Sequence, residues 1–511
     1  MAFARNIATV GGGTLVSRLL AYVRDAGIAA LLGATVFSDG FFAVMQVINF
    51  FRRLLAEGAL NGAFVPIWLK LREGEDGEAN ANRFTRRTLL AMLCIAGVLA
   101  VTIYLLAPLM IAMVAPGFDE DRQAVAEILL RIAAPYILLA GMTAMIAAAL
   151  NAERRVIAVT ISTAMFNVVM VAAVAMAFDE QLALLEKSLV LALAITIAAL
   201  IQFFITGIAW LMTGKRCRRV SVRAPAKTAA FFRRVAPSLI AAGIPQLKLI
   251  AATAIVSSSE AAVTWLYYAN RLYELPLGVA SVAIAAVIVP HLAASRRAGD
   301  APGEAQSRAY EIALGLALPA AAGFALLATP IAAALFQRGA FRAEDAAAVA
   351  AALTAICAGL PGHVLEKVFA AVSFAHEDTH TPMLTACCGL ATAIVGGLLL
   401  FPHFGYVGVA AAIAISAWLG AVLLGLILRR RTWLQVDALA VHRLPRIVLA
   451  CIGMSAVIIV ASRALFPLAA VSSGRIAVLF ALIALGVGVY VLSLRMLGVA
   501  RLKDLLATLR S

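Results

Sequence analysis

LLAMLCIAGVLAVTIYLLAPLMIAMV, from Leu89 to Val114, runs for 26 residues without a charged side chain. About 20 apolar residues wound into an α-helix cross the hydrocarbon core of a bilayer, so this stretch reads as a membrane-spanning segment. A transmembrane β-barrel would show alternating segments of about 10 residues, which uninterrupted runs of this length exclude. The rest of the chain has the same character: of 511 residues, 63% are hydrophobic and 14% charged, and the mean hydropathy is +0.98. A soluble protein of this size would divide into three or four domains of roughly 150 residues. This composition excludes them, and the chain reads as an all-α polytopic membrane protein.

Apolar segments are predicted at 6–32, 36–69, 88–114, 124–150, 156–178, 187–212, 235–257, 261–294, 309–329, 345–375, 381–401, 406–428, 447–466 and 475–494, fourteen in all. The first already holds Arg18 and Arg24 and lacks a short apolar core with a small-residue cleavage site, so it is expected to stay as a span rather than be removed as a signal peptide. Cys94, Cys217, Cys357, Cys387, Cys388 and Cys451 sit mostly in apolar runs, with no C-x-x-C spacing or histidine cluster. They predict helix packing, not a disulfide framework, and no metal or cofactor.

A net charge of +15 would suggest nucleic acid in a soluble protein, but here the charges follow topology. With the N-terminus placed in the cytoplasm, inside segments hold 28 basic residues and outside segments six: Arg122, Lys187, Arg338, Arg342, Arg463 and Arg475. That bias predicts both termini in the cytoplasm, cytoplasmic loops at 70–87, 215–234 and 429–446, and periplasmic loops at 115–123 and 330–344. The remaining eight, Arg18, Arg24, Arg52, Arg53, Arg131, Lys248, Arg271 and Lys367, lie inside the segments. Each costs several kcal/mol at mid-bilayer unless it faces protein or water; those near helix ends can instead extend to the headgroups.

The chain repeats itself. APLMIAMVAPGF (Ala107–Phe118) returns as TPIAAALFQRGAF (Thr329–Phe341), Phe64-Val65-Pro66 as Ile288-Val289-Pro290, and Asn151-Ala152-Glu153 as Ala375-His376-Glu377, at an offset near 224. Segments 1–6 and 7–12 are therefore expected to be parallel repeats, two pseudo-symmetric six-helix lobes around a cleft, with segments 13 and 14 appended. The expected division is a first lobe over 1–214, a basic cytoplasmic connector over 215–234, a second lobe over 235–430, and the final pair with a cytoplasmic tail over 431–511. The connector holds eight Lys and Arg and no acid, which suits a topology signal that also meets anionic lipid.

Arg18, Arg24, Arg52 and Arg53 come from segments 1 and 2, and Arg271 from segment 8, the repeat equivalent of segment 2. They are expected to converge on the cleft. Arg18 and Asp25 are seven apart and share a helix face, while Arg53 with Glu57 and Arg271 with Glu274 have i,i+4 and i,i+3 spacing. Acids so placed lower the cost of burial without cancelling the positive charge. A surplus of arginine suits a phosphate-bearing cargo, because the planar fork gives paired hydrogen bonds to oxyanions. A Walker A motif, a helical His-Glu-x-x-His and a nucleophile triad are all missing from the sequence, so neither an ATP-driven pump nor an enzyme is expected. Pro135, Pro276, Pro319 and Pro361 predict bends inside segments.

These residues resemble a known family. Ser17-Arg18, Arg24-Asp25, Leu32-Gly33-Ala34 and Ser38-Asp39-Gly40-Phe41-Phe42, then NFFRRLLAEGA (Asn49–Ala59) and Ala63-Phe64-Val65-Pro66, are similar to the amino-terminal signature of the lipid II flippase family, MurJ. WLYYANRLYELPLG (Trp265–Gly278) and LFQRGAF (Leu335–Phe341) continue the match, so that it covers nearly the whole chain.

The resemblance implies the fold of the multidrug/oligosaccharidyl-lipid/polysaccharide exporter superfamily: two six-helix lobes in a V, with segments 13 and 14 lining a hydrophobic groove. It implies translocation of undecaprenyl-pyrophosphate-linked GlcNAc–MurNAc-pentapeptide, lipid II, across the bacterial inner membrane, with cell-wall synthesis or division proteins as further partners and no nucleic acid. By similarity Arg18, Arg24 and Arg271, with Arg52 and Arg53, hold the pyrophosphate and nearby sugar. Asp25, Asp39, Glu57, Glu274 and Lys367 shape the interface and gate. Some members are thought to bind sodium in the second lobe, yet Lys248 stands in that neighbourhood here, an ammonium in place of the ion. The energy source stays open between passive transport and coupling to the membrane potential. The rival readings are a flippase for a prenyl-linked O-antigen or capsule unit, a cation-driven multidrug antiporter, which should have an acidic cavity, and a scaffold that transports nothing.

Overall fold

The computed structural model of the chain describes residues 2–56, 59–73, 77–213, 243–284, 302–435, 437–468 and 472–499. The basic connector 215–234, Glu57 and the tail beyond 499 lie outside the described residues. All regular structure among them is helical. In chain order the helices are α1 (Ala2–Leu32), α2 (Val36–Ala56), α3 (Ala59–Arg72), α4 (Gly77–Leu105), α5 (Ala107–Val114), α6 (Glu120–Ala133), α7 (Pro135–Ala152), α8 (Val156–Ala177) and α9 (Leu184–Leu211). Then come α10 (Gly243–Val256), α11 (Ala262–Ala283), α12 (Pro302–Leu326), α13 (Ala328–Phe336), α14 (Ala343–Cys357), α15 (Leu360–Ala375), α16 (His380–Arg430), α17 (Ala438–Leu465) and α18 (Ser472–Met496).

Several predicted segments are broken, and proline explains most of the breaks, since it lacks an N–H and clashes with the carbonyl four residues back. Segment 88–114 splits at Leu106 ahead of Pro108, and segment 309–329 breaks at Leu327 ahead of Pro330, after which α13 carries helix on to Phe336, into the stretch 330–344 expected as loop. The two joints have nearly the same backbone, φ −97°, ψ 21° at Leu106 and φ −102°, ψ 15° at Leu327, so the sequence repeat is a repeat of conformation. Pro135 and Pro361 also follow breaks, and α14 and α15 meet at a 43° bend. Pro276 and Pro319, by contrast, lie within continuous helices. Segments 381–401 and 406–428 form one helical run of 51 residues with a single non-helical residue, Gly405 at φ 57°, ψ −143°. At 1.5 Å per residue the run is about 77 Å long, more than twice the ~30 Å hydrocarbon core, so Gly405 divides two limbs.

Among the described residues, eight helices are long and apolar enough to cross a membrane by length and composition, or nine if the bent α14–α15 pair is one span. The expected fourteen are not all met by that measure. Helix α10 has only 14 described residues, and α1 and α11 carry Arg18, Arg24, Asp25, Arg271 and Glu274. Large apolar side chains such as Val98, Leu211, Leu399, Val460 and Phe480 point outward, as a lipid-facing surface requires. The chain is a multi-pass, all-helical membrane protein.

Four helix ends share one construction. Arg154 (φ 60°), Glu377 (φ 61°), Thr432 (φ 58°) and Gly498 (φ 70°) are left-handed. In each case the following N–H reaches back to the fifth residue before it: Arg155 to Leu150, Asp378 to Ser373, Trp433 to Leu428 and Val499 to Leu494, at 2.9 to 3.0 Å. This is the Schellman closure, which satisfies carbonyls left over at a helix C-terminus. Arginines 154, 155, 429, 430, 431 and 495 cluster at these ends, where cations complement the helix dipole. The corners at Arg154 and Glu377 are repeat equivalents.

The chain forms two compact units, Met1–Thr264 with Arg338–Phe341, and Trp265–Gln337 with Arg342–Ser511. In the first, α8 lies along α1 and α9, while α7 packs against α2, α3, α4 and α9. Its centre is rich in small residues, among them Ala148, Ala149, Ala192, Ala198 and Ala199, which let helices approach closely where lipid gives no hydrophobic drive. In the second, α15 packs on α16, α12 lies against α15 and α17, and α17 pairs with α18.

Candidate functional site

The first unit buries a charged cluster between α1 and α8. Arg24 on α1 is 7% exposed and Asp25 2%. Neighbours on a helix do not normally face each other, but the arginine stem is long enough for Nε and Nη2 both to donate to Asp25 Oδ1, at 2.8 and 2.6 Å. Nη1 donates to Asn167 Oδ1 on α8 at 2.9 Å, and the guanidinium lies 5.8 Å from the Phe166 ring. Asn167 in turn donates to the Ser17 carbonyl at 3.0 Å, tying α8 to α1. A buried charge needs such partners. The expected pairing of Arg18 with Asp25 across seven residues is not what forms: the buried Arg24 takes Asp25, and Arg18 lies exposed. A guanidinium has five N–H groups. Three of them are engaged here among the described residues.

Asp39 is fully buried in the first turn of α2. One carboxylate oxygen accepts the Ala261 N–H at 2.8 Å, and the other accepts the Thr264 N–H at 2.9 Å and the Thr264 hydroxyl at 2.6 Å. These amides open α11, so Asp39 caps that helix from another part of the chain. The first N–H groups of a helix lack internal acceptors and favour an anion. Ser38 Oγ adds a contact of 2.9 Å to Thr264 Oγ1. Gln246 on α10 also donates to Gln46 on α2 at 2.6 Å, both amides buried.

Arg122, counted from the sequence in an outside segment, is 5% exposed. It contacts the Asp119 carboxylate at 3.2 Å, donates to the Ser257 carbonyl at 3.3 Å and lies over the Phe118 ring at 5.2 Å. The Arg122 backbone N–H, then its side chain, hold Asp119 below the usual carboxylate range.

Arg52 is half-buried, with Nε 3.3 Å from Asn49 Oδ1. Arg53 is half-buried beside it, and its expected partner Glu57 is outside the described residues. In the second unit Arg271 Nη1 lies 3.4 Å from Glu274 Oε2, and Tyr273 on the same helix meets His363 Nδ1 at 3.1 Å. Lys367 on α15 and Lys248 on α10 are each half-buried. At the end of α15, Asp378 holds Thr381 and Arg431. Burial pulls its carboxyl upward, but hydrogen bonds from Thr381 and Arg431 outweigh that and bring it down to about 2.

Sequence reasoning missed Asn167, Thr264 and Ser257. Asn167 had a signal, a lone amide in the apolar run of α8, but attention to charge alone passed over it. Thr264 and Ser257 had none, because their roles exist only across more than 130 residues of chain.

The model of the family described as lipid II flippase MurJ matches residues 28–479. A probable lipid II flippase MurJ of Rhizobium meliloti is 35% identical over 501 residues, covering 96% of this chain and 93% of the relative. The lipid II flippase MurJ of Burkholderia cenocepacia is 30% identical, with 84% of each chain covered. Among solved structures, a lipid II flippase MurJ in an inward closed conformation superposes with a TM-score of 0.79 at 21% identity, over 95% of this chain and 97% of that one. An inward-facing multidrug transporter of the MATE family aligns at 0.67 and 14%, over 81% and 94% of the chains. On the family match and the close relatives, this chain belongs to the lipid II flippase family, MurJ.

Proposed function

We propose that this protein carries lipid II from the cytoplasmic to the periplasmic leaflet of the bacterial inner membrane by alternating access. The observation behind the reading is the family match over residues 28–479. No bond is made or broken in such transport, and it needs no cofactor. The pyrophosphate is taken by arginines of both repeats, Arg18, Arg24, Arg52, Arg53 and Arg271. The two Arg24 N–H groups that meet no acceptor among the described residues suit one phosphate oxygen pair. Asp25 and Asn167 orient that fork, and Asp39, Glu57, Glu274 and Lys367 shape the gate.

The prenyl tail stays in lipid or along α17 and α18 while the headgroup crosses. Net transport requires that the arginines bind the headgroup more tightly in the inward state than in the outward one, because equal affinity shifts no equilibrium. Cationic sites moving through the field gain about 2.3 kcal/mol per charge per 100 mV, which makes the membrane potential a sufficient drive. Both termini face the cytoplasm, where the basic loops meet anionic lipid. Depletion of the protein in cells tests the reading: lipid II should accumulate in the cytoplasmic leaflet. Accumulation of a different prenyl-linked sugar with lipid II unchanged would make it a sister flippase.

A further inference from the structure

Each repeat interrupts its fourth span at a proline, and the two joints differ in shape. Helices α6 and α7 run on through Pro135 as one span, Glu120–Ala152, whereas α14 and α15 meet at a 43° bend beside Pro361. Ala134 keeps helical backbone, φ −55°, ψ −38°. Gly359 departs from it, at φ −85°, ψ −11°, against about −63°, −42° in a regular helix. With the prolines aligned, Gly359 and Gly362 stand where the first repeat has Ala133 and Tyr136.

Those two glycines account for the bend. A Cβ at Gly359 would stand 2.5 Å from Ala414 Cα, and one at Gly362 would stand 3.0 Å from Trp418 Cα. Ala414 and Trp418 are four residues apart, on one face of α16, so the joint presses on that helix at a distance only bare backbone allows. In the first repeat the buried side chains of Ala133 and Tyr136 occupy that space.

A break in a helix also frees carbonyls, and inside a bilayer no water takes them. In both repeats a side chain of the sixth span does. The Thr196 hydroxyl on α9 donates to the Ile132 carbonyl at 2.8 Å, and Trp418 Nε1 on the second limb of α16 donates to the Ala358 carbonyl at 2.8 Å. Ile132 and Ala358 are repeat equivalents, each three residues before its proline. Trp418 is 40% exposed, between Ile415 and Val422 on an outward apolar face, so without its N–H the Ala358 carbonyl would meet lipid.

The bend decides where α15 carries its polar side chains. His363, two residues past Pro361, meets the Tyr273 hydroxyl at 3.1 Å. Tyr273 follows Arg271 by two residues on α11, and Lys367 lies one turn beyond His363. All of these residues belong to the second compact unit.

We propose that Trp418 is a positioning residue: its N–H holds the joint at 358–362 bent, and the bend, through His363 and Tyr273, sets where α11 presents Arg271. The straight joint of the first repeat is the conformation the second takes when released. The proposal rests on the transport reading above and adds to it the side chain that orients one of its arginines.

Trp418→Phe keeps an aromatic ring and deletes the N–H. In the full chain with native cysteines replaced, spin labels at Ala347→Cys and Phe374→Cys, both exposed positions on either side of the joint, report the bend as a distance. Arms of about 18 and 22 Å, at 1.5 Å per residue, span about 37 Å at a 43° bend and about 40 Å when straight. Trp418→Phe should lengthen the distance by about 3 Å. It should also raise the lipid II concentration for half-maximal flipping in vesicles at least fivefold, with the maximal rate within twofold of the parent, because a misplaced arginine weakens binding. Gly362→Ala, which pushes α15 off Trp418, should lengthen the distance in the same way if Trp418→Phe fails to fold. An unchanged distance in folded variants would overturn the positioning role whether or not the parent flips lipid II. A longer distance with unaltered half-saturation would overturn the link to Arg271. A longer distance with a parent that moves no lipid II would overturn the substrate and leave the joint standing.

Discussion

Asp39→Asn should loosen the seat of α11 by about 3–6 kcal/mol. The native carboxylate receives three donors, Ala261 N–H on one oxygen and the N–H and hydroxyl of Thr264 on the other. Asparagine keeps one oxygen and turns an NH2 group toward a donor. A hydrogen bond to a charged group contributes about 1.5–3 kcal/mol net, and that much goes with the lost bond. The two surviving bonds fall from charge-assisted to neutral, at roughly half the strength. At about 1.4 kcal/mol per factor of ten, the equilibrium between seated and released α11 shifts roughly 100- to 20,000-fold. The assay is maleimide modification of Ala262→Cys, since a group with no exposure in the seated state reacts in proportion to the released fraction. A rate that stays within threefold of the parent, in a variant with parental thermal stability, would refute the capping argument.

Arg24→Lys keeps a charge but can span at most part of the fork now shared by Asp25 and Asn167, and with Arg271→Lys it should cut flipping at least tenfold at normal expression; full complementation of a depletion strain by both would end the phosphate-clamp role. Asp378 is depressed in the folded chain to about 2, so its pairing with Arg431 stabilises fully above its ordinary value of about 4 and is lost as pH falls through about 2. Melting of wild type and Arg431→Met should therefore differ at pH 5 and converge near pH 2, and a difference that widens on acidification would contradict the sign. Lys248 as a resident cation predicts that flipping in reconstituted vesicles persists when choline replaces sodium, and loss of activity only without sodium would refute it. A cysteine introduced at Arg219 should resist an impermeant thiol reagent in intact cells; labelling there would invert the topology.

The membrane class was legible because apolar runs of 20 residues have one physical use, and the breaks at Leu106 and Leu327 were implicit in Pro108 and Pro330. Arg24 announced itself as a costly charge in an apolar helix. Its partners did not: sequence spacing pointed Asp25 toward Arg18, whereas burial chose the adjacent Arg24 and the remote Asn167. Asp39 stood out only by resemblance, since a carboxylate capping a helix 222 residues away leaves no periodic trace. Gly117 and Gly339 were visible in the repeated stretches, but their close approach to Ser258 and Ala30 needed three dimensions. Glu57 and the connector 215–234 lie outside the described residues.

The Schellman corners carry a consequence for engineering. Left-handed backbone costs a non-glycine residue about 1–2 kcal/mol, and of the four such corners only Gly498 uses the residue that avoids this. Arg154→Gly would relieve strain yet delete one of the charges that the insertion machinery reads when it orients the nascent chain. Glu377→Gly relieves the same strain at the equivalent corner without removing a positive charge. A thermostabilising screen that treats these twin corners alike would therefore harden the fold at one and put membrane orientation at risk at the other.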